Sequence, residues 1–135
     1  MKSKILLITV IILLITSCNS VKKESSKIIE GEIVHTVYFW LNNPDDLEEV
    51  SLFEKEIKKL MNTNNLALKM HLGKPASTTK RGVIDNSYDY CLIFTFPSLK
   101  NQRIYQDHPS HLIFIDKAKH LWKKVQVYDS ATQPI

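Results

Sequence analysis

Three side chains that can exchange protons lie within seven residues of one another, around Pro109. They are Tyr105, His108 and His111, in the stretch YQDHPSH. Proline lacks a backbone donor and disfavours helical geometry in the residue before it. We therefore expect one helix to end at about Asp107, the chain to break at His108, and a second helix to follow. His111 would then lie in the first turn of the second helix, where the helix dipole disfavours a positive charge. A histidine that stays neutral near pH 7 can act as a general base.

The residues around His111 could complete a site. Exposed amides of the same helical turn could hold an enolate or carboxylate oxygen, and Tyr105 could donate a hydrogen bond into the same pocket. His35, in the first predicted strand, would lie below them if its face meets the helices. A structural interpretation stays open as well, because His108 could bond a free carbonyl at the helix break and His35 could be a satisfied core residue.

The spacing of these residues does not suit a metal or a nucleotide. His108 and His111 lose helical spacing across the proline, and only Asp107 offers a nearby carboxylate. No phosphate loop, dinucleotide fingerprint or nucleophile elbow occurs in the sequence. We therefore predict no metal site and no other cofactor.

The first predicted strand covers residues 32–41, EIVHTVYFWL, and is rich in β-branched and aromatic residues. Side chains alternate along a strand. One face therefore carries Ile33, His35, Val37, Phe39 and Leu41, and the other carries Val34, Thr36, Tyr38 and Trp40. Both faces are mostly apolar, so we expect both to be covered.

The other elements follow from helical and alternating periodicity. Asn43 is predicted to cap the first helix with Pro44 at its first position, and Trp122 is predicted as a core contact of the last helix. The helices span residues 43–61, 98–107 and 110–125, and the strands span residues 66–72, 88–96 and 125–130. The order β-α-β-β-α-α-β predicts an α+β fold, a ferredoxin-like sandwich with helices on one face of an antiparallel sheet.

Helices on one face leave the opposite face of the sheet uncovered. That face carries Val34, Tyr38 and Trp40, and an apolar patch of this kind is typical of an interaction surface. A second copy that packs sheet against sheet would bury it. We therefore predict a homodimer in which two sheets form a dimeric α+β barrel.

The amino-terminal residues predict export and lipidation. A basic start, MKSK, precedes an apolar run that is too short to span a bilayer comfortably, which is typical of a signal peptide. The apolar run ends in LITSC, with the small residue Ser17 directly before Cys18. This stretch resembles the lipobox of bacterial lipoproteins, in which the cysteine is acylated and becomes the mature amino terminus. We predict a signal peptide over residues 1–17, a lipidated Cys18 with a flexible tether over residues 18–31, and a folded domain over residues 32–130. The expected location is a membrane of the cell envelope, and Asn19 slightly favours the outer membrane.

The net charge argues against a nucleic-acid partner, and the cysteine content argues against an internal disulfide. The formal net charge is +4, and removal of the two lysines in the leader lowers it to +2, so no nucleic-acid surface is predicted. If Cys18 is lipidated, Cys91 is the single remaining thiol and no internal disulfide can form.

Three stretches together resemble the stress-responsive α/β-barrel (Dabb) family: VHTVYFWL, DYCLIFTF and YQDHPSH. The resemblance covers about residues 32–130 and implies the dimeric α+β barrel. Some relatives are plant polyketide cyclases, in which a histidine that matches His111 is the base, beside residues that match His35 and Tyr105. This sequence departs from them at Tyr90, where the cyclase strand has a histidine. We also predict that Tyr90 and His108 contact the ligand.

Two functions remain open at this point. The favoured hypothesis is a membrane-tethered homodimer that binds a small apolar or aromatic ligand without chemistry. The alternative is a polyketide-cyclase-like or lyase-type enzyme that uses His111 as the general base with His35 and Tyr105. A cavity that joins these three side chains would favour the enzyme, whereas packed core around them would favour the first hypothesis.

Overall fold

The computed structural model describes residues 28–133, so the signal peptide, Cys18 and most of the predicted tether lie outside the described residues. In chain order the elements are β1 (Ile33–Leu41), α1 (Leu47–Thr63), β2 (Lys69–Gly73), β3 (Tyr90–Phe96), α2 (Leu99–Gln106), α3 (Pro109–Ala118), a 3₁₀ turn (Lys119–Leu121) and β4 (Trp122–Ala131). The strands form an antiparallel sheet in the order β2-β3-β1-β4. The predicted ferredoxin-like α+β fold is confirmed.

β1 is an interior strand of the sheet, between β3 and β4. Its side chains alternate as predicted, since every second residue is buried and the residues between them are half-buried. The buried set faces the helices and includes His35, Val37 and Phe39. His35 therefore lies on the covered side of the sheet, which we call the inner face.

The residue that caps α1 is Asp46, and the prediction of Asn43 is wrong. The Asp46 carboxylate accepts hydrogen bonds from the amides of Glu48 and Glu49 at 2.9 and 3.2 Å. A negatively charged cap satisfies these amides and also interacts favourably with the helix dipole. Asn43 instead donates to the Glu49 carboxylate, and Pro44 precedes the helix rather than opening it.

The last helix is shorter than the sequence predicts. α3 ends at Ala118, a 3₁₀ turn follows, and Trp122 already begins β4. β4 pairs with β1 along its length, with Trp122 opposite Leu41, and this pairing overrides the local helical preference of the residues that follow. Trp122 is still a core contact, because its ring stacks at 5.6 Å on the ring of Phe114.

The hydrophobic core lies between the inner face and the helices. The Phe39 ring is 5.2 Å from the Phe53 ring of α1 and 6.1 Å from the Phe114 ring of α3, measured between centroids. Aromatic pairs at these distances stabilise a core beyond the burial of their surface. They hold α1 and α3 at fixed positions over the sheet.

The outer face of the sheet is shielded mainly by its own side chains. Its β1 residues are half-buried, namely Val34, Thr36, Tyr38 and Trp40. The Tyr88 ring meets the Tyr38 ring edge to face at 4.8 Å, and the Lys124 ammonium lies 4.0 Å from the centroid of the Trp40 ring. Tyr128 of β4 stays 60% exposed. Among residues 28–133, no helix is long and apolar enough to cross a bilayer.

Candidate functional site

A cavity of about 230 Å³ lies between the inner face of the sheet and the helices. His35, Tyr105 and His111 all line it, and apolar residues form most of the remaining wall. Val125 and Val127 of β4 also line the cavity, yet each is 42% exposed. The cavity therefore opens along β4 and is closed on the side of the core.

The break at Pro109 places His111 over this cavity. The predicted break at His108 is confirmed, since α2 ends at Gln106 and α3 begins at Pro109. The His108 side chain caps α3, because its Nδ1 accepts a hydrogen bond from the Ser110 amide at 3.3 Å. It thus bonds an amide, not the free carbonyl that the sequence suggested. The amide of His111 donates to the His108 carbonyl at 3.0 Å, which fixes His111 in the first turn.

One nitrogen of His111 is held by the backbone and the other is available. Nδ1 lies 2.9 Å from the carbonyl oxygen of Gln106. A carbonyl can only accept, so Nδ1 carries a hydrogen and donates it. In the neutral ring Nε2 then keeps its lone pair, which is the state that a general base requires.

Tyr105 lies beside His111 and is buried. The two ring centroids are 4.6 Å apart, and the Tyr105 ring also meets the His35 ring edge to face at 5.9 Å. Burial raises the pKa of the Tyr105 hydroxyl above its ordinary value, so the group stays protonated at neutral pH. Within the described part of the chain, no hydrogen-bond partner meets this hydroxyl.

His35 is hydrogen-bonded to a residue that the sequence did not single out. Its Nδ1 lies 2.6 Å from a carboxylate oxygen of Asp129. The two residues face each other across the pairing of β1 with β4. The imidazole is buried, whereas the Asp129 side chain is 48% exposed. Asp129 orients the ring and offsets the positive charge that a protonated His35 would carry.

A signal for Asp129 does exist in the sequence. Val125, Val127 and Asp129 alternate along the last strand, so a carboxylate shares the face of two valines that line the cavity. A charged residue on an otherwise apolar strand face is expected to have a buried partner nearby.

Tyr90 is placed away from this cavity. Its hydroxyl donates to a Glu54 carboxylate oxygen at 2.6 Å, and the Lys74 ammonium lies 4.8 Å from its ring centroid. Hydrogen bonds from Lys58 and Tyr90 lower the pKa of Glu54 to about 2. Burial and the bond to Glu54 raise the pKa of Tyr90. Tyr90 thus belongs to a polar cluster between β3 and α1 and borders a separate groove.

The other predicted positions lie elsewhere. His108 lines a groove between α1 and α3, and Cys18 is outside the described residues. Cys91 is buried on the outer face of β3, and burial raises the pKa of its thiol. Within residues 28–133, no group of three or more potential metal ligands is found.

The cavity combines apolar walls with three polar groups of different roles. Tyr105 offers a hydrogen-bond donor, His111 offers a proton acceptor, and His35 offers an imidazole that is held by the Asp129 carboxylate. A small molecule with an apolar body and one oxygen could place that oxygen near the Tyr105 hydroxyl. A carbon next to that oxygen would then lie on the side of His111.

Comparisons with known proteins agree with the fold. The family model described as the stress-responsive A/B barrel domain matches residues 33–132. No curated protein matches the chain.

Several solved structures share the fold at low sequence identity. A Dabb family protein with a ferredoxin-like fold from Mesorhizobium loti is 23% identical with a TM-score of 0.63, over 78% of this chain and 100% of that one. A dimeric ferredoxin-like protein of unknown function from Thermobifida fusca is 18% identical with a TM-score of 0.61, over 79% and 97%. A hydroxynitrile lyase from Passiflora edulis is 13% identical with a TM-score of 0.63, over 78% and 96%.

Proposed function

Because this chain belongs to the stress-responsive A/B barrel (Dabb) family, we propose that it binds a small apolar or aromatic molecule in the cavity beneath α3, as a membrane-tethered homodimer. The observation that carries the proposal is the cavity that joins His35, Tyr105 and His111. Small-molecule sites typically combine apolar walls with a few convergent polar groups, as this one does.

The polar groups indicate the chemistry of the ligand. The Tyr105 hydroxyl has no partner within the described residues, and a buried donor of this kind is stabilised when a ligand oxygen accepts from it. The apolar walls suit a hydrocarbon or an aromatic ring. A small aromatic ketone such as acetophenone combines both features and is a suitable probe.

Calorimetric titration of the full chain with acetophenone tests this binding. We expect Tyr105→Phe to weaken acetophenone about tenfold, because one hydrogen bond to a buried group is lost. Toluene has the same ring without the oxygen and should bind both proteins equally. Equal acetophenone affinity for the wild type and Tyr105→Phe would contradict the proposed role of the hydroxyl.

A second candidate is proton-transfer chemistry of the polyketide-cyclase or lyase type, with His111 as the general base and with His35 and Tyr105 beside it. The cavity that joins these three side chains favours it, by the criterion set from the sequence. The bond from His111 Nδ1 to the Gln106 carbonyl also supports it, since Nε2 is left as the proton acceptor. The similar fold of a hydroxynitrile lyase agrees with a lyase on this architecture. Its low identity carries no residue role to this chain.

Acetophenone in D₂O separates the two candidates. A base that removes a methyl proton forms an enolate, whose oxygen Tyr105 stabilises, and a solvent deuteron then returns to the carbon. NMR would follow the loss of the methyl proton signal. His111→Gln should abolish exchange above the buffer rate, while His120→Gln, at an exposed position, should not. If acetophenone binds without exchange, the enzyme candidate is contradicted and ligand binding remains as the proposed function.

The homodimer is proposed from the outer face of the sheet. Tyr128 on this face is 60% exposed and the β1 side chains beside it are only half-buried. Solved relatives from Thermobifida fusca and Bacteroides fragilis are described as dimeric. Tyr128→Glu would place a charge on this face and should yield monomers in light scattering. Val83→Glu, at an exposed loop position, serves as the control.

The membrane tether is proposed from LITSC and the apolar run before it. Cys18→Ala should abolish lipid labelling and release the protein from the membranes of the cell envelope, because acyl chains provide the anchor. Cys91→Ala removes the other thiol and should leave the labelling intact. Membrane fractions that still contain the Cys18→Ala protein would contradict the lipoprotein assignment. The same fractions, separated into inner and outer membranes, test the outer-membrane location.

A further inference from the structure

A second hollow lies on the far side of the wall that Leu60 and Phe114 form. It is a groove of about 180 Å³ between α1 and the first turns of α3, and both side chains line the groove and the cavity alike. Ile113 adds to its apolar lining. The groove is a separate space, and His35, Tyr105 and His111 do not line it.

Glu56 of α1 is the unusual residue of this groove. It lines the groove and is only 9% exposed. Within residues 28–133, neither a hydrogen bond nor an ion pair reaches its carboxylate, and Lys59 beside it forms no ion pair with it. The side chain is nine-tenths buried, while its carboxylate oxygens reach solvent through the groove rather than lying sealed in the core. A donor of positive charge that enters the groove can therefore form charged hydrogen bonds with them.

Among the other polar groups of the groove, Thr63, His108 and Ser110 form hydrogen bonds. The Lys59 side chain is exposed to solvent. The Thr63 hydroxyl donates to the Lys59 carbonyl at 2.8 Å. His108 Nδ1 lies 2.8 Å from the Ser110 hydroxyl oxygen and accepts from the Ser110 amide, as the cap of α3. Glu56 is thus the buried charged residue of the groove that has no partner among the described residues. The ligand that fits must donate hydrogen bonds and carry a positive charge.

We propose that this groove is a binding site for a small organic ammonium ion, a primary amine with an apolar body. The ammonium pairs with the Glu56 carboxylate, and the hydrocarbon body packs against Leu60, Ile113 and Phe114. A metal cation suits the groove less well, because the described residues offer no group of three potential metal ligands.

Benzylammonium is a suitable probe, with benzyl alcohol and benzoate as matched neutral and anionic molecules. The full chain, labelled at its isoleucine methyl groups, is titrated and followed by NMR. Ile113 lines the groove and Ile115 lines the cavity, so the two methyl groups report the two sites separately. Benzylammonium should shift Ile113, leave Ile115 in place and bind at least about tenfold more tightly than benzyl alcohol, because its hydrogen bonds are charged.

Glu56→Gln keeps the shape and removes the charge, so it should erase the preference for benzylammonium over benzyl alcohol. Glu48→Gln removes an exposed carboxylate from the same helix and should retain the preference. Ile113→Trp fills the groove from a partly exposed position and should abolish binding even if Glu56→Gln fails to fold. A preference that survives Glu56→Gln, an affinity that survives Ile113→Trp, or a shift at Ile115 instead of Ile113 would each overturn the proposal.

Discussion

The cavity and the groove share a wall but differ in how their charges are balanced. In the cavity, His35 is paired with Asp129 at 2.6 Å, and His111 is bonded to a backbone carbonyl. In the groove, the Glu56 carboxylate has no partner within the described residues. A balanced site suits a neutral ligand with an oxygen, whereas an unbalanced carboxylate suits a cation. Two adjacent hollows can thus select ligands of different charge.

The same contrast appears in two histidines on either side of one proline. His108 uses Nδ1 as an acceptor for the cap of α3, whereas His111 uses Nδ1 as a donor to Gln106. His108 therefore has a structural role as the cap of α3, and it borders the groove. His111 keeps its acceptor nitrogen available and borders the cavity.

Removal of the shared wall should have the largest effect. Phe114 is buried against Phe39 and Trp122, so we expect Phe114→Ala to lower the free energy of unfolding by about 3–5 kcal/mol in urea denaturation. Ile113→Ala, at the preceding and partly exposed position, should cost about 1 kcal/mol or less. In the folded fraction of Phe114→Ala, benzylammonium should shift Ile115 as well as Ile113. Equal losses in the free energy of unfolding from Phe114→Ala and Ile113→Ala would contradict the proposed role of Phe114 as the wall between the cavity and the groove.

Disruption of the charge balance in the cavity should have a smaller effect. Asp129→Asn removes the charged partner of His35, and because Asp129 is half exposed we expect a loss of about 1 kcal/mol in the free energy of unfolding. Asp116→Asn, whose carboxylate is exposed, should leave it unchanged. Benzylammonium binding in the groove should not respond to Asp129→Asn. A response there would mean that the two sites are not independent.

Acid denaturation should report on the carboxyl group of Glu54. The pKa of Glu54 is lowered to about 2 by its bonds to Lys58 and Tyr90, from an ordinary value of 4.5. A carboxyl group whose pKa is lower in the folded state stabilises the protein above its unfolded pKa, and this contribution is lost as the pH falls. The free energy of unfolding should therefore decrease between about pH 4.5 and pH 2.

Two variants test the origin of that decrease. Glu54→Gln should lower the stability at pH 7 and remove much of the decrease in acid. Glu56→Gln should not destabilise the ligand-free protein, since its carboxylate has no partner to lose. An acid profile that Glu54→Gln does not change would contradict the assignment to Glu54.

The smallest change in stability is expected from loss of the Tyr105 hydroxyl. Since this hydroxyl has no partner within the described residues, Tyr105→Phe should change the free energy of unfolding by less than about 1 kcal/mol. Tyr90→Phe makes the same chemical change where the hydroxyl is bonded to Glu54, and it should cost more. Thermal denaturation of both variants provides the comparison, and the reverse order would contradict it.

Local patterns predicted the parts of the site that depend on nearby residues. Alternation along β1 placed His35 on the inner face, because the side-chain period of a strand is fixed. Pro109 predicted the break that puts His111 in the first turn of α3, because proline restricts the residue before it. Tyr105 and His111 then lie on adjoining helices, and their contact follows from the break.

Parts that depend on distant pairing were not predicted. The partnership of His35 with Asp129 requires the register of β1 against β4, which joins residues 94 positions apart. The end of α3 also depends on that pairing, because strand bonds to β1 replace helical ones from Trp122 onward. Tyr90 was expected at the ligand, but Glu54 and Lys74 reach it from other elements and bind it in a separate cluster.

The position of β4 links the opening of the cavity to the edge of the sheet. Among the described strands, β4 pairs with β1 alone, so its other side presents backbone donors and acceptors that can accept an additional strand. Val125 and Val127 of this strand border the opening. An extended peptide that bound along β4 would therefore cover the opening of the cavity. Peptide binding and small-molecule entry would then exclude each other.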